Sequence, residues 1–288
     1  MEKRALVMGG GGTVGIAWET GLAAGLLEQG VHLGEADLII GTSAGSVVGA
    51  QLAAGYDPRL VLQMHRAMAG AVSGQAERAA FDAEVLGEVF ARWGSAGEMS
   101  PEVRRELGAL ALKAKTVPED TYIGTIAQVT GVPEWPERRL LLTAVDAGSG
   151  EFVVWERGGA APLERAVAAS CCVPGIFPPV TIDGRRYVDG GVRSGTNADL
   201  AEGCGVAVII APLGERQFPH GRLAMEQEIA LLRAGGGTVE LVLPDAESLE
   251  AFGPDMMDAS RIVPAAEAGY RQGLALALAG RLQTIWHA

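Results

Sequence analysis

A chain of 288 residues that is 48% hydrophobic and 20% charged has enough apolar material for a sizeable core, in one large domain or two small ones, and is not disordered. Its net charge of −12 argues against nucleic acid and against strong electrostatic docking on anionic membranes. Three cysteines, Cys171 and Cys172 adjacent and Cys204 apart, form neither a disulfide framework nor a metal motif, and read as reduced thiols.

Along the chain, Arg4–Met8 reads as a short buried strand, and the four apolar residues that follow Lys3-Arg4 are too few for a signal-peptide core. Glycines 9–12 lead into a helix with Trp18, Leu22 and Leu26 at i, i+4, i+8 and Gly30 as its stop. Ala36–Ile40 is the next strand, and Gly41-Thr42-Ser43-Ala44-Gly45 opens a helix that ends near Gly55. This β-α-β-α opening with short connections predicts an α/β fold with a mostly parallel central sheet flanked by helices. Residues 59–135 offer only helix patterns (Leu60/Met64/Met68, Phe81 to Trp93, a start at Ser100-Pro101-Glu102, Pro118 to Val129). They form a helical insertion, either a lid or plain packing on one sheet face. Strands resume as a hairpin, Leu140–Val145 with Phe152–Trp155, followed by a helix around Leu163–Ala169 and a rigid, largely non-helical proline-rich loop from Ser170 to Pro179. Val180–Ile182 and Arg185–Val188 flank the two-residue turn Asp183-Gly184 and run into Asp189-Gly190-Gly191. Val206–Ala211 and Val239–Pro244 are further strands, with a helix near Met225–Arg233 between them and a final helix over Ala265–Ile285. With no internal repeat and no linker composition, residues 1–288 read as a single domain. No apolar run approaches the roughly 18–20 residues a membrane span needs, so a cytoplasmic protein that touches membranes only peripherally is expected.

Three stretches carry the chemistry. Gly41-x-Ser43-x-Gly45 has the form of a nucleophile elbow, a strand-to-helix turn that exposes its serine at a helix N-terminus, where developing negative charge is favoured. A serine hydroxyl needs a base to take its proton and prepositioned donors for the oxyanion it creates. The amides of Gly10, Gly11 and Gly12 are candidate donors, free of side chains and beside the elbow if the first two strands are neighbours. Gly10-x-Gly12-x-x-Gly15 also fits a dinucleotide-binding fingerprint, but the acidic residue required at the end of the second strand is missing. The base is either Asp189, at the end of a strand with glycines that let the chain turn, or a histidine. Of the four histidines, His32 reads as loop, His65 as helix surface, and His220 and His287 have no strand-end setting.

Together, the glycine run 9–15, Gly41-Thr42-Ser43-Ala44-Gly45, the segment 168–179 and Asp189-Gly190-Gly191 resemble the patatin-like phospholipase family, over residues 5–55 and about 138–210. The resemblance implies a three-layer α/β/α fold and a Ser43–Asp189 dyad acting on phospholipids, lysophospholipids or neutral acyl esters. Gly10, Gly11 and Gly12 would hold the oxyanion, with no metal and no other cofactor. The chain departs from many bacterial members at Val14, where they carry arginine, and at Trp18, where they carry histidine. The missing cation, with the acidic net charge, points toward neutral or zwitterionic esters. Two alternatives stand beside this reading: an α/β-hydrolase with a Ser-Asp-His triad through His220 or His287, and a non-catalytic lipid- or acyl-binding module.

Overall fold

The computed structural model of the chain describes residues 3–68 and 82–287. β1 (Arg4–Met8) leads through the glycine loop into α1 (Gly12–Glu28), then β2 (Leu38–Gly41) and α2 (Ala44–Ala53). The insertion supplies α3 (Pro58–Met68), α4 (Ala83–Gly94), α5 (Pro101–Lys113) and α6 (Glu119–Thr130), and no strand among its described residues. β3 (Leu140–Asp146) and β4 (Phe152–Trp155) form the expected hairpin, followed by α7 (Leu163–Cys171), β5 (Val180–Ile182) and β6 (Arg185–Asp189). β7 (Val206–Ile210), α8 (Pro219–Ala234), β8 (Thr238–Val242), α9 (Ala246–Phe252), α10 (Ile262–Leu278) and α11 (Arg281–Trp286) complete the chain.

Eight strands form one sheet. β1 is central, parallel to β2 on one side and β7 on the other, and β7 pairs in parallel with β8. The period-two alternation of these strands divides two apolar layers. Leu6, Met8, Ile39, Leu142, Val208 and Ile210 belong to the larger core, together with residues of α1, α2 and α7. Ala5, Val7, Ile40, Ala207 and Ile209 pack with Met225, Ile229 and Leu232 of α8 on the other face.

The arrangement around β3 decides where the site forms. Leu140, Leu141 and Leu142 pair with Ile39, Ile40 and Gly41 of β2. Residues Leu142–Val145 pair with β4, and Ala144–Asp146 pair antiparallel with β6. Since β4 overlaps both partners in register, it holds one edge of β3, while β2 and β6 share the other. They run toward each other along that edge and stop short. β2 ends at Gly41 opposite Leu142, β6 ends at Asp189 opposite Ala144, and Thr143 faces the break between them.

Local signals placed most boundaries. Asp82 and Ser100 cap α4 and α5 through the amides of Val85 and Val103, and Gly131 ends α6 in the left-handed region. Phe81, expected to open α4, lies outside the described residues. Two expectations are corrected. The single final helix is two, because Gly280 (φ 76°) turns the chain between α10 and α11. The helix between β7 and β8 starts at Pro219 rather than Met225, with proline in its first turn. The sequence reading also passed over α9, capped by Asp245 through the Ser248 amide at 2.8 Å. Among the described residues no helix is long and apolar enough to cross a membrane.

Candidate active site

Ser43 sits between β2 and α2 with φ 52° and ψ −120°, backbone a side-chain-bearing residue adopts only when its surroundings enforce it. The enforcement is visible. Thr42 N–H donates to Met8 O at 3.0 Å, and Ser43 N–H donates to Ser170 Oγ at 3.0 Å. The Ser43 carbonyl accepts from Ser46 Oγ at 2.6 Å and from Cys171 Sγ at 3.1 Å. A Cβ on Gly41 would come within 2.6 Å of Ser46 Cα, and one on Gly45 would strike the Met8 carbonyl, so both flanking positions require glycine. The Ser43 hydroxyl makes no capping bond to α2, which leaves it available at the helix N-terminus.

The glycine loop lies against this elbow, a Cβ on Gly10 falling 3.4 Å from Ser43 Cβ. Its amides are not equivalent. Gly9 N–H donates to Ile210 O at 2.9 Å and Gly10 N–H to Gly195 O at 2.8 Å. Gly11 and Gly12 amides have no acceptor among the described residues. Of the three donors expected from sequence, Gly10 is therefore already engaged. Met256 and Met257 close over Gly12: a Cβ there would meet Met256 O and Met257 Sδ at 2.8 Å.

Asp189 reaches the same place along β6 and is 2% exposed. Its Oδ1 accepts from Gly191 N–H at 2.7 Å, while the buried Oδ2 makes no hydrogen bond. Burial pushes this carboxyl up to about 7, against the Gly191 amide and the nearby Ser43 hydroxyl, which both favour the ionised form. Ser43 and Asp189 thus approach one another without a formed hydrogen bond. Burial, and secondarily the Asp189 charge, push the Cys171 and Cys172 thiols up, so neither is a thiolate nucleophile.

A family model described as Patatin-like phospholipase matches residues 6–202. The chain belongs to the patatin-like phospholipase family. It is 29% identical over 206 residues to uncharacterized NTE family proteins of Mycobacterium bovis and Mycobacterium tuberculosis, covering 68% of this chain and 47% of theirs. The chain spans about half the length of the curated relatives it matches. Among solved structures it is similar to VipD from Legionella pneumophila, at 12% identity and TM-score 0.46, covering 99% of this chain and 67% of that one. It is also similar to the type III effector protein ExoU, at 14% identity and TM-score 0.41, covering 99% and 53%.

In this patatin-like chain none of the four imidazoles hydrogen-bonds to Ser43 or Asp189. His220 Nδ1 faces Ala96 O at 3.1 Å and stacks on Phe218, His32 sits 3.9 Å from Glu35, and His287 follows α11. His65, expected on a helix surface, is half-buried with Nδ1 shielded from solvent and unbonded. The two departures from many bacterial patatin-like proteins are also clarified. Val14 is fully buried, and Trp18 is enclosed with its Nε1–H on Ser248 Oγ at 3.1 Å. Neither presents a charged group to a substrate.

Ser170, Cys171, Thr42, Thr143 and Asn197 support the site, and sequence reasoning singled out none of them for a role. Thr42 lies inside the elbow motif and Ser170-Cys171 inside the family-like segment, the two available signals; Thr143 and Asn197 become neighbours only through the tertiary structure. Among the described residues no group of three His, Cys, Asp or Glu side chains could hold a metal ion.

Proposed function

We propose that this patatin-like chain hydrolyses carboxylic esters of lipids, as a phospholipase A, lysophospholipase or esterase, with Ser43 as nucleophile and Asp189 as its base. One observation carries the reading: a buried carboxylate oxygen with no partner of its own stands beside a strained, uncommitted serine hydroxyl at a helix N-terminus. Ser43 Oγ attacks the ester carbonyl carbon, and its proton passes to Asp189 Oδ2. The carbonyl electrons move onto oxygen, where the unpaired amides of Gly11 and Gly12 supply the oxyanion donors; each such donor is worth roughly 2.7–4 kcal/mol. Collapse of the intermediate breaks the ester C–O bond, and the leaving alkoxide takes the proton from Asp189. Water then attacks the acyl-serine by the same route in reverse. An ordinary carboxylate is a weak base for an alcohol, and burial that raises its affinity for a proton offsets part of that weakness.

A triad reading has no imidazole to serve it, and a non-catalytic module has no use for an unpaired carboxylate facing a strained serine. A fluorophosphonate probe and a panel of p-nitrophenyl esters and defined phospholipids test the proposal together. Labelling and turnover that disappear in Ser43→Ala and Asp189→Asn are expected, with His220→Ala retaining both. Turnover that survives Ser43→Ala overturns it.

A further inference from the structure

We infer that Asn197 is a positioning residue that helps set the spacing between Ser43 and Asp189, by bridging the break on the β3 edge where β2 and β6 face each other. The inference rests on the reading of those two residues as nucleophile and base.

Asn197 is fully buried and holds the left-handed backbone conformation, φ 51° and ψ 38°. Its orientation is fixed by a donor: Arg193 Nη1 lies 2.8 Å from Oδ1, and a guanidinium can only donate. Arg193 is itself held by Asp199 at 2.6 Å. The Nδ2 group therefore points the other way, into the break. It donates to Ser194 O at 2.8 Å and Thr42 Oγ1 at 3.0 Å, with Gly190 O and Thr143 Oγ1 further off at 3.4 Å. Thr42 precedes the nucleophile in the chain, and Gly190 follows the base.

Thr42 Oγ1, accepting from Asn197, also shares a hydrogen bond with Thr143 Oγ1 at 2.9 Å, and Thr143 Oγ1 lies 3.4 Å from Gly41 O. Thr143 is the β3 residue facing the break, and a Cβ on Gly190 would collide with its hydroxyl, so elbow and aspartate loop both rest on it. Glu228 anchors the bracket from α8, accepting from Thr196 Oγ1 at 2.6 Å and Ala198 N–H at 2.9 Å. No backbone ladder joins the two strand ends, since β2 and β6 are not paired with each other; the segment 170–172 also spans them, with Ser170 Oγ and Cys171 Sγ bonded to Ser43 and the Asp189 N–H donating to Cys172 O at 3.1 Å. The distance across which the proton must pass is thus set by these bridges, the Asn197 amide among them, rather than by a ladder of backbone bonds between β2 and β6. Reacting groups tolerate little misplacement, about 1 Å being enough for a hundredfold loss.

Asn197→Gly removes the amide and keeps the positive φ at no steric cost. The full chain carrying it is compared with wild type by melting temperature, by kcat and KM on a p-nitrophenyl ester, and by the pH dependence of kcat/KM. A loss of at least tenfold in kcat with KM within threefold is expected. The acidic limb of the profile should move below about 7, as water reaches a carboxyl no longer clamped. A folded variant that melts lower but keeps the wild-type kcat and acidic limb overturns the inference and makes Asn197 structural only. Should Asn197→Gly fail to fold, Thr143→Val decides alone: the same changes in smaller size support the bracket, and unchanged kcat and limb overturn it. Wild-type protein with no Ser43-dependent turnover sinks the hydrolase reading itself and the inference with it, an outcome distinct from an active wild type beside an unaffected variant.

Discussion

On the proposed mechanism Asp189 must do two incompatible things, stay buried and accept a proton, and both the cost and the use can be measured. As a base it must be ionised, so kcat/KM is expected to fall as pH drops through about 7, far above the fall-off of an ordinary carboxylate near 4. For stability the sign is set by linkage. The folded carboxyl holds its proton up to about 7, whereas the unfolded chain releases it near 4, so wild-type stability declines as pH rises between those values. A carboxamide at this position would not titrate. Asp189→Asn should therefore lose about 10²–10⁴-fold in activity and gain melting temperature over wild type. That gain should grow from pH 4 to 7 and level off above, as melting curves at several pH values will show. A gain independent of pH would separate the carboxyl from the stability cost.

At the scale of elements, α1 carries the glycine loop at its start and is held in place by α10. The two helices approach so closely that glycines are required on both. A Cβ on Gly21 would strike the Ala266 carbonyl and one on Gly25 that of Tyr270, while Gly269 and Gly273 face the backbone of Trp18 and Leu22. Backbone cannot yield as a side-chain tip does, so Gly25→Val or Gly269→Val should cost at least the roughly 1–3 kcal/mol of an overpacked core, read as a lowered melting temperature. Gly30→Ala, at a positive φ with open space around it, should cost less. Helix content on one face of this chain was legible in the apolar spacing, but this contact was not. The spacing of Trp18, Leu22 and Leu26 marks a buried face, whereas α1 is buried around most of its circumference through Leu26. Likewise the glycines of α10 look like helix weakeners until the partner backbone is seen beside them.

For the whole molecule, the match to the family model stops at residue 202, yet β7 pairs with the central β1 and α10 covers α1. Met256 also accepts from Val14 N–H at 3.0 Å, at the start of α1. A chain ending at residue 202 is therefore expected to show no cooperative thermal transition and no esterase activity, which calorimetry and an ester assay check. By itself the amino-acid sequence determined the parallel β-α-β-α opening, the elbow at Ser43, the glycine loop and the strand that delivers Asp189. Each of these is written in a short window, as strand periodicity or as glycine where backbone must turn or approach backbone. Only the tertiary structure decided that Gly10 is engaged with Gly195, that Asn197 bridges Thr42 and Gly190, and that β2 and β6 meet head-on along β3. Those facts bring together segments far apart in the chain, and the groups involved have no local pattern to betray them. Their partners are chosen by how strands register across the sheet, which no single segment of the chain encodes.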